Sequence, residues 1–291
     1  MTAEPAVVVF DKPEGPTSHD VVARTRRLAG TRRVGHAGTL DPMASGVLLI
    51  LLGEATKLSA YLTGSDKTYL AEVRFGKSTT TLDAQGEPTA EAALAPGWLD
   101  ALRLDAALDA AREQTEQIPP SVSAIHVAGA RAHERVRRGE TLQLPPRAVA
   151  VRSLTLESVG PERVTLRLTV SAGYYVRALA RDLGQALGVP AHLSALRRER
   201  SGSFTLAQAS PFPPPSWPPA RLSMTQAIER TLPVARLGPA EAVLARQGKR
   251  LPAGPDHEAG PIALLGPDGE LVAIAARDGE TLRVLRGFTA P

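Results

Sequence analysis

The segment from Gly35 to Gly46 constrains this chain most, because it sets a single carboxylate, that of Asp41, among three glycines. It runs directly into the wholly apolar stretch Val47–Leu52, which predicts a buried strand. Gly35 and Gly38 permit the positive φ that a tight loop often needs, and small neighbours let a large planar group approach the backbone. The sequence therefore predicts a core strand preceded by a loop that receives a ligand at Asp41.

A second interpretation of the same carboxylate is structural. Aspartate at an N-cap followed by proline is a common helix start, so Asp41 and Pro42 also match the beginning of a helix. Local chemistry alone leaves the two interpretations at about equal weight.

The whole segment resembles the signature of the TruB type of tRNA pseudouridine synthase, a GH-x-GTLDP-x-A-x-G string that contains the catalytic aspartate. Further motifs of that family follow in the same order, so the resemblance spans residues 11–204. The matching segments are Asp11–Ser18, Lys67–Tyr69, Phe75–Gly76, Thr81–Asp83 with Gly86, Gln117–Pro120, Gly173–Arg177, Asp182–Gly184, and Leu196–Arg198 with Gly202 and Phe204.

The resemblance implies that Asp41 is the catalytic residue, acting at C1′, at C6 or on the 2′ hydrogen of the target uridine. The sequence does not choose among these routes. Arg177 corresponds to the arginine that pairs with this carboxylate, and a buried guanidinium would keep it ionised and aimed. Tyr69 corresponds to a tyrosine that stacks on the target base and is a candidate to relay the C5 proton. Tyr175 corresponds to a residue in the wall of the pocket, beside Arg177.

Three more residues receive roles from the resemblance. His36 helps to displace or hold the flipped nucleotide by stacking, Leu196 lies near the base, and Lys12 supports the catalytic loop from beneath. Each site residue also has a plainer alternative. Arg177 could instead contact a tRNA phosphate, while Tyr69, Tyr175 and Leu196 could belong to the core.

The composition excludes several other chemistries. The chain contains no cysteine, so it has no disulfide, thiolate metal site or cysteine nucleophile. The histidines show no paired metal-ligand spacing, and neither a phosphate-binding P-loop nor a dinucleotide fingerprint is present. We therefore expect neither a metal nor a cofactor.

Clustered arginines indicate an RNA partner more strongly than the net charge of +4 does. Any one cluster could equally be an ordinary soluble surface. The clusters are Arg24, Arg26, Arg27, Arg32 and Arg33, then Arg131, Arg135, Arg137 and Arg138, and finally Arg197, Arg198 and Arg200.

Strands and helices alternate without a regular βαβ rhythm, which predicts an α+β protein with a mixed, largely antiparallel sheet flanked by helices. The family has the pseudouridine synthase fold with a small β-rich PUA-like C-terminal domain. We accordingly expect a catalytic domain at 1–232 and a PUA-like RNA-binding domain at 233–291. Within the first, segment 117–147 is an inserted loop that grips RNA, and the proline-rich segment 211–219 is a stiff spacer outside the core.

Hydrophobic periodicity predicts the individual elements. The predicted strands are Val7–Phe10, Val47–Leu52, Lys67–Phe75, Arg163–Ser171, Ile262–Leu265, Leu271–Ala276 and Thr281–Gly287. The predicted helices are Ser18 to about Gly30, Glu54–Leu62, Asp100–Gln117, Tyr175–Leu187 and Pro239–Gln247.

The chain departs from the family pattern at a few positions. Val122 and His133 stand where tyrosine is usual, His126 where lysine is common, and Thr80 where an acidic residue is frequent. Most of these lie in the inserted loop, so they concern RNA binding more than chemistry.

These observations predict a tRNA pseudouridine synthase that flips uridine-55 out of the TΨC loop in the T-arm. The chain lacks a membrane-length apolar run and a basic leader, so we expect a cytoplasmic protein, without contact to membrane, and a monomer. One alternative is a noncatalytic RNA-binding or RNA-folding protein on the same scaffold. Another is a glycosidase-like hydrolase with Asp83 as its second carboxylate, although Asp83 lies in a threonine-rich hairpin where a turn role is simpler.

Overall fold

The computed structural model describes residues 4–122, 126–127, 130–131, 144–254 and 260–289. The chain divides into two compact units. Unit 1 comprises Met1–Asp41, Val47–Ser65 and Gly202–Pro291, and unit 2 comprises Pro42–Gly46 and Asp66–Ser201. The division into domains at 1–232 and 233–291 stays a prediction.

Unit 1 begins with strand β1 (Ala6–Lys12), which is buried because its residues form an almost wholly apolar run. Helix α1 (Ser18–Ala29) follows and starts at Thr17, whose side chain caps the helix in a reciprocal box with Asp20. It ends at Gly30, which takes the left-handed conformation with φ of +60°. Strand β2 (Val34–Ala37) then pairs antiparallel with the end of strand β3 (Ala44–Leu52).

A short 3₁₀ helix (Gly53–Leu58) and helix α2 (Ser59–Thr63) complete the N-terminal part of unit 1, where the sequence predicts one helix. Strand β1 lies between β3 and the two-residue strand Ser210–Pro211, whose second residue begins the proline-rich segment. The remaining elements are strands β4 to β20 and helices α3 to α6, with one further 3₁₀ helix. In unit 2 they are β4 (Lys67–Phe75), β5 (Lys77–Thr79), β6 (Pro88–Glu91), α3 (Ala101–Arg112), β7 (Glu116–Gln117), β8 (His126–Val127), β9 (Ala130–Arg131), β10 (Arg147–Ala148), β11 (Val151–Val159), β12 (Arg163–Val170), α4 (Val176–Leu187) and β13 (Ala191–Ser201). In unit 1 they are β14 (Phe204–Thr205), a 3₁₀ helix (Leu206–Gln208), β15 (Ser210–Pro211), α5 (Met224–Ile228), β16 (Val234–Arg236), α6 (Pro239–Arg246), β17 (Leu251–Pro252), β18 (Pro261–Leu265), β19 (Leu271–Asp278) and β20 (Thr281–Gly287).

The C-terminal strands form a sheet in the order β16, β18, β19, β20, β17. Their apolar residues do not form a wholly separate core. Leu265, Ile274 and Phe288 pack in one buried cluster with Val9 and Leu51 of the N-terminal strands. This β-rich region matches the predicted small C-terminal domain in its elements, and its PUA-like character stays a prediction.

The sheet of unit 2 runs in the order β11, β12, β4, β13, followed by Ala44–Gly46 at the start of β3. Its pairs are antiparallel except for β13 with β3, which is parallel. Alternation along β4 and β12 buries one face, as predicted, because apolar residues recur at every second position. Helices α3 and α4 pack against this sheet and each other.

One helix prediction is wrong at its C-terminal end. The helix predicted for Asp100–Gln117 ends at Arg112, and Glu116–Gln117 pairs instead as β7 with β10. Within the helix, Leu104 is buried whereas Leu102 is 80% exposed.

The proline-rich segment contains no helix, and its only strand residue is Pro211 at the end of β15. Phe212 nevertheless lies in the core, packed edge-to-face on Phe10 at 5.1 Å between ring centroids, contrary to the prediction for this segment. Among the described residues, no helix has the length and apolarity required to cross a bilayer.

Candidate active site

Asp41 lies in the loop between β2 and β3, and one buried hydroxyl fixes the residue before it. The Ser18 hydroxyl accepts a hydrogen bond from the Leu40 N–H at 2.9 Å and donates one to the Leu40 carbonyl at 3.0 Å. Ser18 is 1% exposed and is the first residue of α1. The loop that presents Asp41 is therefore anchored to the start of a capped helix.

Lys12 supports the chain that leads into this helix. The side chain is fully buried, and its ammonium group donates hydrogen bonds to the carbonyls of Pro13 and Pro16 at 2.8 and 2.9 Å. These bonds fix the turn before Thr17, the N-cap of α1. The geometry is that of a structural support for this turn, and the predicted support of the catalytic loop by Lys12 stays a prediction.

The glycines of the loop serve different purposes. Gly38 adopts a φ of +79°, as predicted. Gly46 adopts +108°, and a Cβ there would lie 2.2 Å from the carbonyl oxygen of Arg198. The prediction for Gly35 is wrong, because it lies within β2 and has no positive φ. Position 46 therefore requires glycine for two reasons: its backbone has a positive φ, and the backbone of β13 leaves no space for a Cβ atom.

The helix interpretation of Asp41 is also wrong. Pro42 and Met43 form a turn, and β3 begins directly after them. Ala44–Gly46 pairs in parallel with Leu196–Arg198 of β13, so the backbone follows a strand rather than a helix.

His36 lies on β2 and is half-buried. Its carbonyl accepts a hydrogen bond from the Ser59 hydroxyl at 3.0 Å. Its ring packs edge-to-face against His19 of α1, with 5.3 Å between centroids and an angle of 82° between ring planes. An aromatic partner for His36 was not foreseen, although His19 directly follows the matched segment that ends at Ser18.

In unit 2, Tyr69 and Leu196 lie on the same buried face of the sheet. Tyr69 of β4 stands opposite Arg198 of β13, and Leu196 stands opposite Ala71, two residue pairs further along. Residues directly opposite in an antiparallel pair share a face, and so do alternate residues along a strand. Tyr69 is 8% exposed and Leu196 is 6% exposed, so both side chains are buried in this structure, and their predicted contacts with a base stay predictions.

Arg177, in the first turn of α4, is held by the hairpin that follows β5. Its Nη1 donates a hydrogen bond to the Thr81 carbonyl at 2.9 Å and lies 3.6 Å from Oδ2 of Asp83. Both charged side chains are only 6% exposed. The prediction that Arg177 pairs with Asp41 stays a prediction, and the structure adds Asp83 as an ionic partner.

Asp83 has a turn role as well, as the sequence predicts. Its Oδ1 accepts hydrogen bonds from the Thr81 hydroxyl at 2.6 Å and from the Gln85 N–H at 3.0 Å. Between Thr81 and Asp83, Leu82 adopts a φ of +61°, which is uncommon for a residue other than glycine. The two groups that contact Arg177 therefore flank a strained residue.

Tyr175 is the N-cap residue of α4 and is half-buried. Its own side chain makes no capping hydrogen bond, but the Gln117 amide contacts both backbone groups of Tyr175.

One member of the third arginine cluster does not belong to the predicted surface for phosphates, because Arg198 is only 1% exposed. Arg197 donates to the Ser45 hydroxyl at 3.2 Å and Arg200 to the Thr68 hydroxyl at 3.0 Å, and both side chains are half-buried. A phosphate contact by these two stays a prediction. The structure does not describe the side chains of the second arginine cluster, Arg131, Arg135, Arg137 and Arg138. The side chains of His126 and His133 also lie outside the described part.

Comparison with known proteins decides the family. A model described as "TruB family pseudouridylate synthase (N terminal domain)" matches residues 26–176, and one described as "tRNA pseudouridylate synthase B C-terminal domain" matches residues 177–211. The chain belongs to the TruB family of pseudouridylate synthases. This makes it a member of an isomerase family, and it extends about 80 residues beyond the second match.

Curated TruB relatives match almost the whole chain. A protein of Arthrobacter sp. (strain FB24) named tRNA pseudouridine synthase B is 45% identical over 286 residues, covering 94% of this chain and 93% of that protein. A protein of the same name from Thermobifida fusca (strain YX) is 45% identical over 277 residues, covering 92% and 93%.

Solved structures show the same fold. The match to "Crystal Structure of a Cbf5-Nop10-Gar1 Complex" has a TM-score of 0.75 at 24% identity, covering 98% of this chain and 85% of that one. The match to "Structure of H/ACA RNP bound to a substrate RNA containing 2'-deoxyuridine" has a TM-score of 0.71 at 24% identity, with the same coverage. The pseudouridine synthase fold predicted from the TruB resemblance is thus confirmed.

Besides the burial of Arg198, sequence reasoning missed the burial of Lys67 in this TruB chain. Lys67 is 6% exposed, and burial lowers its pKa to about 8, with a further contribution from the nearby charge of Arg198. Lys67 belongs to the segment Lys67–Tyr69 that matches the TruB family, but this match carries no signal of burial. Among the described residues, no three histidine, aspartate or glutamate side chains are grouped to hold a metal ion, and chemistry without a metal or cofactor stays a prediction.

Proposed function

We propose that this protein isomerises uridine-55 in the TΨC loop of tRNA to pseudouridine. One observation carries the proposal: near-full-length relatives named tRNA pseudouridine synthase B are 45% identical to the chain. The intact signature around Asp41, together with Tyr69 and Arg177, supports catalysis rather than binding alone.

The chemistry requires a nucleotide that has left the base stack. The C1′–N1 bond breaks and a C1′–C5 bond forms, while C5 loses a proton and N1 carries one in the product. Atoms and electrons balance without an oxidant or reductant. Extrusion of a base costs a few kcal/mol, which stacking and edge contacts offset. We infer base flipping, with His36 and Tyr69 as stacking residues and Tyr175 and Leu196 as pocket residues.

Asp41 is the residue to which we assign the essential step, at C1′, at C6 or on the 2′ hydrogen. Arg177 is the cation that keeps this carboxylate ionised and oriented. The contacts of Arg177 with Thr81 and Asp83 support that role, because they fix the direction of the guanidinium before any substrate is bound.

The T-arm of tRNA is the partner we infer, with exposed arginines as phosphate contacts. On and after α1, Arg26 donates to the Val34 carbonyl and Arg33 pairs with Glu54, which leaves Arg24, Arg27 and Arg32 as the candidates in this cluster. A cytoplasmic location and a monomeric state complete the proposal.

The test uses two tRNA transcripts that carry C5-tritiated uridine and differ only in uridine or cytidine at position 55. The proposal predicts tritium release from the uridine-55 transcript and none above background from the cytidine-55 transcript. Binding without release from either transcript would favour the noncatalytic RNA-binding protein, and free uracil in the supernatant would favour hydrolysis.

A further inference from the structure

Gln117 is a buried residue for which the proposed reaction gives no role. It is 3% exposed, and its side-chain amide forms two hydrogen bonds with the backbone of Tyr175. Oε1 accepts from the Tyr175 N–H at 2.8 Å, and Nε2 donates to the Tyr175 carbonyl at 3.2 Å. The amide thus pairs with the backbone as a neighbouring strand would.

The position of these bonds matters because Tyr175 is the N-cap of α4. The Tyr175 side chain makes no capping hydrogen bond, so the bonds of the Gln117 amide to the Tyr175 backbone help to define where the helix begins. Arg177 is the second helical residue. A shift of the N-cap would therefore move the Cα of Arg177 and the direction of its guanidinium.

Gln117 is itself held firmly. It pairs with Arg147 through β7 and β10, and the Val149 N–H donates to the Thr115 carbonyl at 2.9 Å. The Arg181 side chain on α4 donates to the carbonyl of Ile118 at 3.1 Å. The segment is thus fastened to α4 at a second point, one turn beyond Arg177.

A neighbouring glutamine provides the contrast. The Gln114 amide contacts side chains only: Oε1 accepts from the Tyr174 hydroxyl at 3.3 Å, and Nε2 donates to the Asp182 carboxylate at 3.3 Å. Gln114 stabilises the same corner of unit 2 without contacting the backbone at the start of α4.

We propose that Gln117 is a positioning residue for the isomerisation, acting through the Tyr175 backbone on the start of α4 and so on Arg177. This inference rests on the proposed function, because its readout is the rate of isomerisation. Arg177 is held at one end by Thr81 and Asp83 and at the other by the helix start that Gln117 fixes.

The experiment compares Gln117→Met with Gln114→Met under single-turnover conditions, with tRNA affinity measured separately. Methionine keeps the length of glutamine and removes both hydrogen bonds to the Tyr175 backbone, together with the contact of the Gln117 amide with the Tyr174 side chain, which Gln114 also contacts. We expect Gln117→Met to lower the rate by about ten- to a hundredfold with tRNA affinity within about threefold, since small displacements of a catalytic group have effects of this size. Gln114→Met should stay within about threefold of wild type.

A double-mutant cycle distinguishes positioning from general loosening. In an Arg177→Met background, Gln117→Met should lower the rate less than about threefold further, because its effect passes through Arg177. A full, independent loss in that background would overturn the inference, as would equal losses in Gln117→Met and Gln114→Met.

Gln117→Glu covers the case in which Gln117→Met does not fold. Glutamate keeps an oxygen that accepts from the Tyr175 N–H, but it has no N–H to donate to the Tyr175 carbonyl. We therefore expect a folded variant whose isomerisation rate lies between those of wild type and Gln117→Met. A wild-type rate in Gln117→Glu would contradict the inference. An inactive wild-type protein would instead refute the proposed function.

Discussion

The signature loop, Gly38–Gly46, and the arginine network, formed by Thr81, Asp83 and Arg177, hold their charged residues by different physical means. The loop relies on backbone: positive φ at Gly38 and Gly46, and one hydroxyl that fixes Leu40. The network relies on two buried charged side chains, Arg177 and Asp83, and on the Thr81 carbonyl, which meet from distant parts of the sequence. A partly exposed carboxylate is thus presented by a loop, whereas a buried guanidinium needs several partners to offset its desolvation.

The largest effect should come from the network. Arg177→Met removes a cation and leaves Asp83 buried without it, so we expect turnover to fall about a hundredfold or more. Affinity for tRNA should change by less than about threefold. Single-turnover kinetics and filter binding measure the two quantities. Lost affinity with retained turnover would make Arg177 a phosphate contact.

Gly46→Ala tests the backbone side of the comparison. The added Cβ would meet the Arg198 carbonyl oxygen at 2.2 Å, at a residue with φ of +108°. We expect the free energy of unfolding to fall by about 3 kcal/mol or more, measured by chemical denaturation.

Gly15→Ala is the matched control for that variant. Gly15 has a φ of +104°, and a Cβ there would meet no atom within 4 Å. It carries the conformational cost without the clash, so its loss should be clearly smaller. Equal losses in the two variants would remove the close approach of β13 as the reason for Gly46.

Ser18→Ala tests the hydroxyl that anchors the loop at Leu40. Loss of the hydroxyl leaves the buried Leu40 N–H and carbonyl without their bonds to it, at a cost of about 1–3 kcal/mol in unfolding free energy. Thermal or chemical unfolding measures this cost. Ser203→Ala is the control, since that exposed hydroxyl bonds only to the Arg230 carbonyl among the contacts described for it. A smaller loss at Ser18 than at Ser203 would contradict the anchoring role.

The smallest effect concerns strain within the network. At position 82, with φ of +61°, glycine should give a more stable protein than alanine by about 1 kcal/mol, the reverse of the usual order in regular structure. Denaturation of Leu82→Gly and Leu82→Ala compares two variants that both lack the leucine side chain. Greater stability of the alanine variant would show that the turn does not impose this conformation.

The contrast between the two regions also explains what the sequence could predict. The signature loop is encoded within nine consecutive residues, so its position, its glycine at 38 and the strand behind it were predicted. Alternating patterns along β4 and β12 likewise predicted their buried faces. The helix interpretation of Asp41 had support from local capping rules, and strand pairing at Ala44–Gly46 overrode it.

The arginine network could not be predicted in the same way, because its partners are far apart along the chain. Arg177 contacts a carbonyl 96 residues away, and the Gln117 amide contacts a backbone 58 residues away. Backbone acceptors of this kind leave no signature in residue type. Burial of Arg198 was missed for a related reason, since an arginine cluster in a sequence looks alike whether it faces solvent or a sheet.

The central claim is that Asp41 is essential for isomerisation and dispensable for binding. Tritium release from tRNA carrying C5-tritiated uridine should be compared between wild type and Asp41→Asn, with the affinity of each for the same tRNA measured in parallel. The account predicts release by wild type, none above background by Asp41→Asn, and affinities within about tenfold of each other. Release by Asp41→Asn at a rate near that of wild type would contradict it.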